Sequence, residues 1–147
     1  MTARALKSRY RLFRSRLNRY RSLGACGERQ AARYLSRQRY VVWSRNWRRT
    51  FGEIDLVAVK DRTAVFVEVK ARRGGDTAAI LDNMTEEKER RLLRTMRSFL
   101  DDHGPELRRR RIFRWRLDVI AISFPRSAGM RKPAVVHIID WFGEGGG

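Results

Sequence analysis

From residue 24 onward, apolar residues follow helical and strand spacing in turn. The spacing predicts, in chain order, a helix at 26–38, strands at 40–47, 53–60 and 63–71, a helix at 85–101, and strands at 112–122 and 134–142. The order α-β-β-β-α-β-β, in a chain of 147 residues, predicts a single α/β domain with helices packed on one sheet.

The second helix has signals at both of its ends. Asn83 and Thr85 are N-cap candidates, because their side chains can accept hydrogen bonds from the first turn. Gly104-Pro105 is expected to stop the helix. We therefore place this helix between about residues 85 and 101.

Residues 1–22 form a basic arm in front of the predicted domain, which spans residues 23–142, and residues 143–147 form a glycine-rich tail. The arm holds eight basic residues and no acidic one. Its apolar residues share one helical stripe, which consists of Leu6, Tyr10, Phe13, Leu17 and Tyr20. This pattern is typical of a basic amphipathic helix that contacts nucleic acid, a membrane surface or a partner helix; a disordered tail and an organelle transit peptide are the alternatives.

The charge balance points to a polyanionic partner. Lys and Arg number 34 against 16 Asp and Glu, which gives a net charge of +18. Such a surface attracts nucleic acid, with DNA as our first expectation, although arginine-rich codon usage would also raise the charge. The single cysteine, Cys26, excludes an internal disulfide, and no run of about 18 apolar residues exists to span a membrane. We expect a cytoplasmic protein.

The hairpin predicted at residues 53–71 carries charged residues within strands that are apolar enough to be buried. A turn centred on Asp61-Arg62 places Asp55 directly opposite Glu68, and side-chain alternation puts Ile54 on the other face. Opposed carboxylates on a buried face repel each other unless a positive charge lies between them. A divalent cation is the simplest such charge, with Lys70 beside it.

Glu28 is a similar anomaly on the first helix. Ala31, Ala32 and Leu35 lie on the same helical stripe, so Glu28 should face the core and can reach the carboxylate pair. Oxygen ligands favour Mg²⁺ or Mn²⁺ over zinc. Three carboxylates and a lysine on a basic protein predict hydrolysis of phosphodiester bonds, with Lys70 orienting water or stabilising charge.

These motifs carry a family resemblance. Asp55 followed by Glu68-Val69-Lys70 resembles the PD-(D/E)xK signature of restriction-endonuclease-like nucleases, and Glu28 is similar to the helix-borne glutamate of archaeal Holliday-junction resolvases. The segments GERQAARYL, YVVWSRNWR, GEIDLVA and FVEVKAR resemble the YraN family of small bacterial predicted endonucleases, from about Gly24 to Phe142. The resemblance implies an αβββαβ core with a mixed central sheet and a metal-dependent endonuclease activity. Ile54 stands where the signature has proline.

The predicted site has a catalytic set and a wider set of phosphate contacts. The catalytic residues are Glu28, Asp55, Glu68 and Lys70, of which the three acids are the metal ligands. The nucleic-acid contacts are Arg45, Arg48, Arg72, Arg73 and Lys88.

Other residues have structural interpretations. Asp118 interrupts an apolar strand, and we favour a buried acid paired with an arginine over a further ligand. Trp43 and Trp47 could stack on bases, but core packing is favoured. His103 and His137 show no ligand spacing, so they are assigned no chemistry.

Two further hypotheses compete with a nuclease. The first is a non-catalytic nucleic-acid-binding protein on the same fold, in which the acids are structural. The second is a membrane-surface or assembly factor that acts through residues 1–22. A homodimer is compatible with each hypothesis.

Overall fold

Five strands form one open sheet in the order β1-β2-β3-β4-β5. The computed structural model describes residues 23–126 and 132–143. The strands are β1 (Val41–Arg49), β2 (Gly52–Lys60), β3 (Thr63–Arg73), β4 (Arg114–Phe124) and β5 (Ala134–Ile138). The helices are α1 (residues 23–37), α2 (Thr77–Leu81), α3 (Glu86–Asp102) and α4 (Gly104–Arg109). Only β3 and β4 are parallel, so the sheet is mixed, as expected for a restriction-endonuclease-like arrangement.

The β2–β3 hairpin has the predicted register. Its pairs run from Lys60↔Thr63 at the turn to Leu56↔Val67. Asp61 and Arg62 occupy the turn with φ of 48° and 57°. Positive φ at both central positions matches the right-handed twist of the flanking strands, which is why a turn of two residues closes this hairpin.

Helices cover both faces of the sheet, and each face has its own core. On one face, Ala31, Ala32 and Leu35 of α1 pack against β2, β3 and β4. Gly27 lets α1 approach β3 closely, because a Cβ added to this glycine would lie only 2.6 Å from Ala71 Cβ of β3. The stripe predicted for the first helix is therefore confirmed.

The other face is covered by α3. Leu92, Met96 and Phe99 of this helix pack against Phe66 of β3 in the second core cluster. Gly52, the first residue of β2, touches Thr95 of α3 so closely that a Cβ would overlap the threonine hydroxyl. This contact fixes the start of β2 against the middle of the helix.

The ends of α3 follow the sequence signals in part. The Thr85 hydroxyl oxygen accepts a hydrogen bond from the Lys88 N–H at 3.2 Å, so Thr85 is the N-cap. The helix ends at Asp102, but Pro105 then occupies the first turn of α4. Proline suits the first turn of a helix, which explains why Gly104-Pro105 both ends one helix and begins another.

The chain leaves the sheet earlier than expected at its C-terminal end. The last strand ends at Ile138 instead of residue 142, and Asp140 adopts a φ of 57°. Trp141 then packs against the core on the α3 face, and its main-chain N–H donates to the Leu117 carbonyl at 2.7 Å. The helix predicted within residues 1–22 and most of the tail lie outside the described residues. Within those residues, no helix has the length and apolarity needed to cross a membrane.

Candidate active site

Asp55 and Glu68 lie next to each other where the β2–β3 ladder opens. The last ladder pair is Leu56↔Val67, and beyond it the Val69 N–H donates to Asp55 Oδ2 at 2.7 Å. The carboxylate thus takes the place of a main-chain acceptor. Asp55 is 8% exposed and Glu68 is 7% exposed, so both acids are buried.

The two acids line a cleft on the α3 face of the sheet. It encloses about 210 Å³. Its walls come from the start of β2, from β3 and from the first half of α3, namely Gly52, Glu53, Asp55, Glu68, Lys88, Arg91, Leu92 and Thr95. The cleft therefore combines buried carboxylates with cationic side chains.

Ile54 differs from the alternation expected in this strand. Strict alternation places it on the α1 face, but it packs in the core cluster of the α3 face. The prediction for its side was wrong because the regular β2–β3 ladder stops at Leu56, and Asp55 replaces a ladder bond with a side-chain bond.

Two lysines converge on one oxygen of Glu68. Lys88 Nζ lies 2.6 Å from Glu68 Oε1, and Lys70 Nζ lies 3.2 Å from the same atom. Lys70 follows Glu68 by two residues on the same strand face, whereas Lys88 reaches in from the first turn of α3. The ion pairs concentrate positive charge on Glu68 rather than on Asp55.

The pKa values of this cluster reflect that unequal distribution. Burial, followed by repulsion from Glu68, raises the pKa of Asp55 to about 8, although the Val69 N–H opposes the shift. Burial, followed by the neighbouring Lys88, lowers the pKa of Lys70. Burial also lowers the pKa of Lys88, but attraction and hydrogen bonding to Glu68 outweigh it, so the net shift is upward.

The chemistry of these donors fits a divalent cation. Two buried carboxylates supply hard oxygen ligands, and a bound cation would offset the burial and the repulsion from Glu68 that raise the pKa of Asp55. Glu28, on α1, is half-buried and also raises the pKa of Asp55 by repulsion. Within the described ranges, however, no three His, Cys, Asp or Glu side chains group closely enough to hold a metal. The assignment of Glu28 as a third ligand stays a prediction.

The predicted phosphate contacts are distributed over several places. Lys88 lines the cleft, and Arg48 pairs at 3.0 Å with Glu53, which is also part of the cleft wall. Arg72 and Arg73 are exposed at the end of β3, and Arg45 is exposed on the edge strand β1. The structure therefore brings only Lys88 into direct contact with the carboxylates.

Trp43 and Trp47 pack against the core, as predicted. Both pack edge-on against Phe99 of α3, with ring centroids 5.6 Å and 5.2 Å from it. Both are half-buried and pack against the core cluster of the α3 face.

Comparison with known proteins gives the family. The model of the family described as "Uncharacterised protein family UPF0102" matches residues 27–122. The chain belongs to the UPF0102 (YraN) family. A UPF0102 protein of Roseiflexus castenholzii is 43% identical over 116 residues, which cover 79% of this chain and 89% of the relative. UPF0102 proteins of Rhodococcus jostii and Chloroflexus aurantiacus are 38% and 40% identical, and they are covered over 96% and 95% of their lengths.

The UPF0102 match contains the whole candidate site. Glu28, Asp55, Glu68, Lys70 and Lys88 all lie within residues 27–122. The family resemblance inferred from the motifs is thereby confirmed.

A second buried acid of this UPF0102 protein lies on the α1 face. Asp118 accepts hydrogen bonds from Arg116 at 2.8 Å and from the Asp140 N–H at 2.9 Å, and His137 Nε2 lies 2.8 Å from it. Burial raises the pKa of Asp118, but these hydrogen bonds outweigh it, so the net shift is downward. The predicted pairing of a buried acid with an arginine is confirmed.

His137 is the residue that sequence reasoning missed. Its Nδ1 lies 3.3 Å from the Tyr34 hydroxyl, so the ring links α1 to β4. The contact follows from the strand register of the folded sheet, because His137 is the cross-strand partner of Ile120, which shares a face with Asp118.

Proposed function

We propose that this protein is a metal-dependent nuclease that hydrolyses phosphodiester bonds of DNA. One observation carries the proposal: two buried, adjacent carboxylates share an open cleft with a lysine on a protein of net charge +18. Burial of like charges is unfavourable and is retained where a site needs it. Structured DNA and RNA are alternative substrates that the same cleft could admit.

Asp55 and Glu68 would hold the Mg²⁺ or Mn²⁺ ion, with Glu28 as the proposed third ligand. A divalent ion supplies Lewis-acid catalysis and offsets charge in phosphodiester hydrolysis. Lys88 Nζ lies at the cleft wall, where it can hold a phosphate oxygen. Lys70, whose pKa is lowered by burial and by Lys88, can orient water or exchange a proton beside Glu68.

The cellular setting is part of the proposal. Cys26 is a free thiol, and the net charge of +18 favours nucleic acid as the partner. We propose a cytoplasmic enzyme that acts on DNA there.

The decisive experiment combines metal binding with cleavage. Mn²⁺ and Mg²⁺ binding is measured by calorimetry for the wild type, Asp55→Asn and Glu68→Gln, and each protein is incubated with single-stranded, duplex and branched DNA and with RNA. Asp61→Asn is the matched control, because it removes one acid from the turn of the same hairpin. We expect metal binding and cleavage in the wild type and the control, and loss of both in the two site variants.

A non-catalytic nucleic-acid-binding protein is the second candidate. Two observations favour it: Glu68 Oε1 already contacts two ammonium groups, and the described acids form no group of three. Under this hypothesis the wild type binds nucleic acid but cuts none of the substrates with either metal. Asp55→Asn would then leave the binding affinity unchanged.

A further inference from the structure

A second recess lies beside the cleft, on the outer side of α3. It has a volume of about 430 Å³ and is lined by Phe51, Arg90, Leu93, Arg94, Arg97, Ser98 and Asp101. Phe51 comes from the β1–β2 turn, and the other six residues come from α3. We call this recess the arginine groove.

The arginine groove adjoins the candidate active site. Phe51 lines the groove, and Gly52, the next residue, lines the cleft. On α3, Arg90 lines the groove and Arg91, the next residue, lines the cleft. The groove and the cleft therefore lie side by side along α3.

The three arginines are available to an external anion. Arg90, Arg94 and Arg97 are all exposed. Glu86 lies 3.9 Å from Arg90, but both side chains are more than 70% exposed, so this pair is weak. With Asp101 as the only acid in its lining, the groove carries more positive than negative charge.

One arginine is held in place by an aromatic ring. The Arg94 guanidinium lies over Phe51, 4.1 Å from the ring centroid. Stacking of this kind restricts a long side chain while leaving its N–H donors exposed at the edge. It argues for an ordered binding surface rather than a set of independent solvated charges.

The spacing and chemistry identify the ligand class. Arg90 and Arg97 are seven residues apart, which is about 10 Å along a helix axis and close to the axial rise of about three nucleotides. Guanidinium groups bind phosphate oxygens through paired N–H donors. We propose that the arginine groove binds the phosphodiester backbone of the nucleic-acid strand that enters the cleft. The inference deepens the proposed function and rests on it for the identity of the substrate.

The test compares two triple variants of the full chain. The groove variant is Arg90→Gln with Arg94→Gln and Arg97→Gln. The matched control is Arg33→Gln with Arg37→Gln and Arg39→Gln, which removes the same charge from exposed residues in α1 and just after it, on the opposite face. Binding of a fluorescent single-stranded oligonucleotide and of a duplex is measured by anisotropy over a range of salt concentrations, and thermal unfolding checks that each variant folds.

We expect the groove variant to bind at least about tenfold more weakly at about 0.1 M salt. The negative slope of log K against log salt should become shallower by about 2 for the single-stranded oligonucleotide. Three phosphate contacts are lost, and each contributes about 0.7 to that slope on a single strand. The control should change affinity less than about threefold. Arg94→Lys should keep the slope and lose affinity, because it retains the charge but not the planar donor pair.

Three results would overturn the inference: equal weakening in the two triple variants, an unchanged groove variant, or no binding by the wild type. Failure of the nuclease proposal gives a different pattern, because binding is measured without cleavage. If the groove variant alone loses binding and the wild type cuts nothing with Mn²⁺, the groove stands and only the catalytic assignment falls.

Discussion

Asp55 and Asp118 are two buried aspartates in one sheet, and their surroundings are opposite. Asp118, on the α1 face, is hydrogen-bonded to Arg116, His137 and the Asp140 N–H, and its pKa is lowered. Asp55, on the α3 face, accepts one N–H and faces another acid, and its pKa is raised to about 8. Burial is similar, so the difference is in compensation.

This contrast separates a structural acid from a candidate functional one. A buried carboxylate with its oxygens satisfied contributes to the unique packing of the domain. A buried carboxylate that lacks a counter-charge destabilises the fold and is expected where a ligand will supply that charge. The two aspartates should therefore respond to substitution and to pH in opposite directions.

The largest effect is expected from Asp118→Ala. It leaves Arg116 and His137 without their shared acceptor, and removing one partner of a buried ion pair costs about 3 kcal/mol. Urea denaturation at pH 7 measures the change in the free energy of unfolding. A loss below about 1 kcal/mol would mean that Asp118 is no more structural than Asp55.

Asp55→Asn should instead stabilise the protein, by a few kcal/mol at pH 8. Asparagine can still accept the Val69 N–H, but it carries no charge. The folded wild type binds the Asp55 proton more tightly than the unfolded chain does, so its stability falls as pH rises from about 4 to about 8.

Thermal unfolding from pH 4 to pH 9 checks this prediction. The gain should be smallest near pH 4, where Asp55 is protonated in the folded state and about half protonated in the unfolded chain, and should grow through neutral pH. Equal stability of the two proteins across the range would show that the charge of Asp55 is fully compensated.

A smaller effect is expected from Lys88→Met. The change removes the ammonium group 2.6 Å from Glu68 and leaves Lys70 in place. Loss of a hydrogen bond between charged groups costs about 1.5 kcal/mol. Urea denaturation at pH 7 measures this loss, and a change below about 0.5 kcal/mol would mean that Lys70 alone compensates Glu68.

Trp141→Phe should have the smallest effect. The indole Nε1–H of Trp141 donates to Glu89 Oε1 at 2.7 Å. The preceding residue in the chain, Asp140, donates its main-chain N–H to Asp118. Phenylalanine keeps most of the packing and loses this hydrogen bond, at about 1 kcal/mol. The double variant that combines Trp141→Phe with Asp118→Ala tests coupling between the two faces of the sheet. If its loss in free energy of unfolding exceeds the sum of the two single losses, the segment after β5 couples Asp118 on the α1 face to the α3 face.

The hairpin could be predicted from sequence because its pairing is local. A turn of two residues at Asp61-Arg62 fixes the register, and the ladder runs in that register as far as Leu56↔Val67. The same reasoning brought Asp55 and Glu68 together. The core stripe of α1 was also readable, because helical spacing determines which residues share a face.

The remaining contacts depend on distances that the sequence does not encode locally. His137 meets Asp118 only after β5 pairs with β4 across a long connection. Lys88 lies in the cleft because α3 packs on the sheet with that side of the helix turned toward Glu68. The helix sequence alone does not determine this orientation. Ile54 changes face because the Asp55 side chain interrupts the ladder, a tertiary effect that overrides alternation.

The parallel pairing of β3 with β4 has a consequence for the order of folding. The β2–β3 hairpin closes through two residues, whereas β3 and β4 are joined through residues 74–113, which include α2, α3 and α4. Closing the longer loop costs more chain entropy, so we expect the hairpin to form before the parallel ladder. Asp55 and Glu68 are then brought together before α3 delivers Lys88. Mild acid, by protonating Asp55, should ease that early step, because the two acids meet before α3 has brought Lys88 to Glu68.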